Sequence, residues 1–228
     1  MRLLLISNSG RPFLEWCRPA IVDFLGAARA LAFVTAASLA DEAQYFERAR
    51  AALADGAGLD VLHLRWDADP HATLASAAAL FVGGGNTYAL LRRLRAAGLL
   101  EPIRARARAG MPYVGSSAGS NVSGPNILTT NDWNVVGLGE FDALGLVPFN
   151  INPHYLEADP AMAPGSETRD ERIAEYHAVN ANAVVGIEEG TMVRVEDGVA
   201  TVIGRGRARL FRPGQPPEWV PSGSRLTV

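Results

Sequence analysis

Four short, almost uninterrupted apolar runs recur through the first ninety positions of the chain: "LLLIS" at 3–7, "ALAFVT" at 30–35, "LDVLHL" at 59–64 and "AALFVGG" at 78–84. A strand with one wet face would alternate apolar and polar residues. Runs that do not alternate need cover on both faces. The segments between them supply it. In "DEAQYFERARAALADG", 41–56, Ala43, Phe46, Ala49 and Leu53 recur at helical intervals. Strands alternating with such helices predict an α/β fold with a mostly parallel sheet sandwiched between two helical layers. A fifth strand is expected at "MPYVG", 111–115, after the helical "EPIRARARAG".

Beyond residue 125 the pattern changes. "ILTTNDW" and "PFNINPHY" read as strand-to-loop pieces, and "ETRDERIAEYHAVN", 167–180, as a helix. The last fifty residues break into short strands bounded by turn signals, and these are expected to complete the sheet in antiparallel fashion. A chain of 228 residues suffices for one domain, 1–228, with a sizeable core.

Charge and cysteine content narrow the partners. The formal net charge is -3 with no clustered basic run, which argues against nucleic acid; "RARLFR", 207–212, reads as the solvated face of an edge strand. No stretch approaches the roughly 18 apolar residues of a membrane span, so no membrane is expected. A single cysteine, Cys17, excludes an internal disulfide and suits a reducing, cytoplasmic setting. Flanked by apolar residues, it reads as inert packing rather than a nucleophile.

Chemistry concentrates at "MPYVGSSAGSN", 111–121. Gly115-Ser116-Ser117-Ala118-Gly119 matches G-x-S-x-G between a buried strand and a short helix, where the small neighbours allow a turn sharp enough to lift the Ser117 hydroxyl above the sheet edge. Ser116 is off the centre of that turn. A second strand-to-helix turn, "FVGGGNTYAL" at 81–90, has Asn86 or Thr87 as its N-cap. It carries no Walker lysine and misses the G-x-G-x-x-G spacing. It is either a tight connection or a source of one oxyanion donor, from Gly84 or Gly85, with Ala118 N–H supplying the other.

A serine nucleophile needs a base, and the base needs an acid to hold its tautomer. Of four histidines, His177 falls at the far end of its helix, while His63 and His71 have packing or surface explanations. His154 follows a short strand and Pro153, and is the best base. For the acid, Asp132, Glu157, Asp159, Glu167, Glu188 and Glu189 all compete; alternation cannot choose between Glu188 and Glu189 at the turn of "VVGIEEG". Only Asp132 would keep the serine–acid–histidine order of α/β-hydrolases. The histidines lack paired metal-ligand spacing.

Taken in order, "FVGGGNTYAL", "GSSAGSN", "ILTTNDW", "FDALGLVPFNINPHY", "GSETRDERI" and "VVGIEEG" resemble the peptidase E family of alpha-aspartyl dipeptidases over nearly the whole chain. The resemblance implies a fold like that of class I glutamine amidotransferases, whose elbow carries cysteine instead of serine. It implies cleavage of Asp-Xaa dipeptides with no metal or cofactor. Matched by motif, Ser117 is the nucleophile, His154 the base and Glu189 the acid, with Gly85 and Ala118 as oxyanion donors. Asp132 and Arg169 or Arg172 match the substrate-binding positions. Glu188 stands where some relatives have proline, and Ser116 where some have an aromatic residue. An arginine suits the aspartyl carboxylate because it binds bidentately.

Two other readings stand beside this one. One is a cyanophycinase-like or broader serine exopeptidase of the same fold; the other is a binding module that kept the elbow without the chemistry. The partner expected is a small peptide, and the chain a monomer or homodimer.

Overall fold

The computed structural model describes residues 1–157 and 165–228. The chain opens with β1 (Arg2–Ile6), α1 (Arg18–Leu25), β2 (Ala30–Val34) and α2 (Glu42–Arg50), whose last turn widens over Ala51–Asp55. There follow β3 (Asp60–Leu64), α3 (Pro70–Ser76), β4 (Ala79–Val82), α4 (Thr87–Ala96), α5 (Leu100–Arg108), β5 (Tyr113–Ser116) and the single turn α6 (Ala118–Asn121). Next come β6 (Asn150–Pro153), α7 (Arg169–His177) and β7 (Val184–Ile187). The chain closes with β8 (Thr191–Glu196), β9 (Val199–Gly204), β10 (Arg207–Phe211), β11 (Glu218–Pro221) and β12 (Arg225–Leu226).

Eight strands form the central sheet in the order β12-β9-β8-β1-β5-β4-β2-β3. The five from β1 to β3 are mutually parallel, as their apolar runs predict; β8, β9 and β12 extend the β1 edge antiparallel. Alternation along the strands sorts side chains between two cores. Leu3 and Leu5, with Leu80 and Val82, face a core closed by Leu74 of α3, Leu90 and Leu94 of α4 and Ile103 of α5. Leu4 and Ile6, with Phe33 and Phe81, face the opposite core, closed by Ile21 and Phe24 of α1 and Tyr45 and Ala49 of α2. Both faces are therefore dry, which is why neither alternates in polarity.

The C-terminal strands depart from the expectation in two respects: they do not all complete the central sheet, and β10, which carries "RARLF", is paired on both sides rather than lying at an edge. Only β8, β9 and β12 join the central sheet. β10 and β11 pair instead with β7 and β6 in a separate sheet, order β11-β10-β7-β6, in which β6 and β7 run parallel. One face of this second sheet packs into the first core through Ile151, Val185 and Leu210. The other meets α7 through Tyr155, Ile173 and Phe211. "PFNINPHY" and "VVGIEEG" are thus neighbouring strands whose C-terminal ends lie together. Between α6 and β6 the chain holds only an isolated Asn126–Asp142 bridge.

Candidate active site

β5 ends at Ser116 and α6 begins at Ala118, so Ser117 alone makes the turn between them. It does so at φ 53° and ψ -109°, in the left-handed half of backbone space that L-residues avoid, at a cost of about 1–3 kcal/mol. The flanking glycines make the turn possible. A Cβ at Gly119 would lie 2.0 Å from the Val82 carbonyl oxygen, and one at Gly115 would lie 2.4 Å from that of Gly119. The backbone of the turn is held by Ser117 N–H donating to Ile6 O (2.9 Å) and by the Ser120 hydroxyl, which bonds Ile6 O and Gly115 O at 2.8 Å each. The consequence is a half-exposed hydroxyl at the C-terminal edge of the central sheet.

β6 delivers His154 to the same edge from the second sheet. Ser117 Oγ lies 2.8 Å from His154 Nε2, and His154 Nδ1 lies 2.6 Å from Glu189 Oε1. One tautomer satisfies both contacts: Nδ1–H donates to the carboxylate, and the Nε2 lone pair accepts the serine O–H. The histidine backbone is left-handed too, at φ 55°. It is pinned by His154 N–H donating to Ser7 Oγ (2.9 Å), while the Ser7 hydroxyl donates to Ile187 O (2.9 Å). Ser7, wholly buried at the end of β1, thereby ties the two sheets together behind the histidine.

The two adjacent glutamates diverge. Glu188 turns back to accept from Arg207 N–H at 2.8 Å and pairs with its guanidinium at 3.2 Å. Glu189 faces His154, and its second oxygen accepts from the Asn8 amide. Asn8 Oδ1 in turn accepts from Gly190 N–H at 3.2 Å, fixing the turn that carries Glu189. Asp132 does not bond the histidine. Its Oδ2 accepts from Thr87 N–H (2.7 Å) and the Thr87 hydroxyl (2.6 Å) at the start of α4. Of the remaining competitors, Glu157 pairs with Arg209 and Glu167 with Arg172, and Asp159 lies outside the described residues.

Beside Ser117 runs the β4–α4 turn. Asn86 is the N-cap, accepting from Ala89 N–H at 3.0 Å. Gly84 N–H is spent on Tyr45 Oη (2.9 Å). Gly85 sits at φ 136°, and a Cβ there would fall 2.3 Å from Ala37 O. Among the described residues neither Gly85 N–H nor Ala118 N–H has an acceptor. The other histidines have local partners: His63 bonds Thr35 Oγ1 and stacks on Phe46, His71 bonds Ala97 O, and His177 bonds Asn182 O. Cys17 is buried in the α1–α2 core, which pushes its thiol up to about 12 and leaves it protonated.

A cleft of about 740 Å³ brings together Ser117, His154, Gly85, Asp132, Asn131, Tyr45 and Arg48. Arg169 and Arg172 are not part of that wall. They line a separate recess of about 40 Å³ that shares Thr130 and Asn131 with the cleft. Burial, reinforced by the neighbouring Arg172, holds the Arg169 guanidinium below its usual value, whereas Arg172 pairs with Glu167 at 2.6 Å. Sequence reasoning missed Asn8, Tyr45 and Arg48. All three follow strands whose C-terminal ends form the ligand-binding edge of such a sheet, and that position was the available signal.

A serine on a strained strand-to-helix turn, hydrogen-bonded to a carboxylate-braced imidazole and flanked by two uncommitted backbone donors, defines a serine hydrolase built on an α/β sandwich. The sequence matches the description "Peptidase family S51" over residues 3–203. The chain belongs to that family. It is 46% identical over 230 residues to a peptidase E of Streptomyces coelicolor, covering 100% of this chain and 94% of the relative. A Drosophila melanogaster protein named "Probable alpha-aspartyl dipeptidase" is 44% identical, with 92% and 89% covered. The fold matches the crystal structure of a peptidase from an acI-B1 actinobacterium at TM-score 0.76 and 18% identity, over 100% of this chain and 96% of that one.

Proposed function

We propose that this chain is a serine dipeptidase that hydrolyses Asp-Xaa dipeptides through an acyl-enzyme. Ser117 Oγ attacks the carbonyl carbon of the aspartyl residue as His154 Nε2 takes its proton. The oxyanion is held by Gly85 and Ala118 N–H. Collapse breaks the C–N bond, and His154 returns the proton to the leaving amine, leaving aspartate esterified to Ser117. Water then attacks the ester with His154 again as base, releasing aspartate and restoring the hydroxyl. Glu189 keeps the imidazole in the working tautomer and stabilises it when charged.

The observation carrying this reading is the unbroken Glu189–His154–Ser117 hydrogen-bond chain, at 2.6 and 2.8 Å, on a strained elbow. The aspartyl preference draws on the alpha-aspartyl dipeptidase name of the Drosophila relative and on the charges at hand. Asp132 Oδ2 is committed to Thr87, so Oδ1 is the oxygen for the substrate ammonium. The aspartyl carboxylate is assigned to Arg169 or Arg172 across Thr130 and Asn131, a reading supported by the shared wall of the two cavities. We read the chain as one catalytic domain, a monomer or homodimer, in the cytoplasm. A lone buried thiol supports the reducing compartment.

Ser117→Ala tests the mechanism. The variant should keep its far-UV circular dichroism and lose about 10³- to 10⁶-fold in kcat/KM on Asp-Leu. Turnover retained within tenfold would overturn the assignment. A panel of Asp-Leu, β-linked Asp-Arg and Ala-Leu, with and without chelator, separates the aspartyl dipeptidase from the cyanophycinase-like alternative.

A further inference from the structure

Arg48 is a cation in the cleft that the chemistry so far leaves without a task. It sits on α2, and α2 packs on the sheet face opposite to α4 and the Thr130–Asp132 segment. Ser117 and the Gly83–Asn86 turn lie at the sheet edge between these two sides. The cleft therefore runs across the edge, with Asp132 on one wall and Arg48 on the other.

The guanidinium is unspent. Among the described residues it makes no ion pair, although its neighbours on the same helix do. Glu47 pairs with Arg50, and Glu42 is taken by Arg93. Arg48 lies 5.7 Å from the ring centroid of Tyr45. That ring is buried edge-on against Phe33 and Phe13, and its hydroxyl accepts from Gly84 N–H. Arg48 thus leans on a rigid post tied to the turn that carries Gly85, rather than waving from a loose surface helix. A planar cation so placed in the cleft that Ser117 also lines, exposed and without an ion pair among the described residues, fits a carboxylate brought by the ligand.

An Asp-Xaa dipeptide brings two carboxylates. With the ammonium at Asp132 and the aspartyl side chain toward the adjoining recess, the aspartyl half occupies the α4 wall. The leaving residue then points to the α2 wall. We propose that Arg48 binds the C-terminal carboxylate of the dipeptide and so limits the substrate to one residue beyond the scissile bond. Each further residue would displace that carboxylate by up to about 3.5 Å. This inference rests on the Asp-Xaa reading above, and adds what measures the peptide's length.

The test compares Asp-Leu with aspartyl-leucinamide, which lacks only the terminal charge, in the wild-type enzyme and in Arg48→Met and Arg48→Lys. The wild type should favour the free acid by about 10- to 100-fold in kcat/KM, mostly through KM. In Arg48→Met that ratio should fall to within about threefold of unity, with Arg48→Lys between. Turnover of the amide by the variants shows that the site is still assembled. Should Arg48→Met fail to fold, Arg48→Lys carries the comparison. A wild type indifferent to the terminal charge overturns the proposal, and so does a variant that keeps the full ratio. Equal losses on both substrates also overturn it, since they would assign Arg48 to the aspartyl half or to the fold. Failure of the wild type to cleave either aspartyl compound, with Ala-Leu cleaved, would instead bring down the Asp-Xaa reading itself.

Discussion

Glu188 and Glu189 carry the same side chain on consecutive residues, yet they do unlike things. The first is consumed by Arg207 on the neighbouring strand; the second braces the histidine and is itself held by Asn8. Glu189→Gln should therefore lower kcat by about 10²- to 10⁴-fold, because an amide no longer favours Nδ1–H and no longer stabilises the imidazolium. Glu188→Gln should leave kcat within about threefold. Steady-state kinetics on Asp-Leu checks both. Ser117 and His154 were legible in the sequence because each is marked locally, by small residues around a turn and by a proline before a strand end. Strand alternation could not separate the glutamates, and only the motif resemblance singled out Glu189, since β7 stops at Ile187 and pairing with β10 decides which carboxylate is diverted. Asn8 and Arg48 bear no local mark at all; only their position after strands of one sheet brings the first to Glu189 and the second to the cleft.

At the scale of the element, the elbow is a packing solution as much as a chemical one. β4 passes so close to α6 that Gly119 has no space for a methyl group, with Val82 O 2.0 Å from where the Cβ would stand. Gly119→Ala must push the two apart. It should cost about 1–3 kcal/mol in urea denaturation and reduce turnover, because the displaced turn carries Ala118 N–H. The five parallel strands were legible because each is a dense apolar run followed by helical spacing. The second sheet was not. Its strands are only four or five residues long, and nothing in so short a run says which edge it will join. Partner choice there is set by long-range burial, with Ile151, Val185 and Leu210 filling the first core while Tyr155 and Phe211 meet α7.

For the whole molecule, the decisive fact is that the hydrogen-bonded Ser117 and His154 stand on different sheets. Ser7 is the hinge-pin of that arrangement, receiving His154 N–H and donating to Ile187 O. Ser7→Ala should leave the histidine N–H without its partner, lowering stability by about 1–2 kcal/mol. It should also reduce kcat by more than tenfold on the order of a loosened Ser117–His154 contact. Chemical denaturation and kinetics on one preparation measure both, and a stability loss with unaltered kcat would show that the sheets stay registered without it. Since Glu189 and the strands that hold it come late in the chain, a ribosome finishes Ser117 long before the polypeptide can contain the complete relay. Translation must pass Glu189, and then β10 that pairs with the strand leading to it, before the Ser117 hydroxyl can meet both its imidazole and its carboxylate partner.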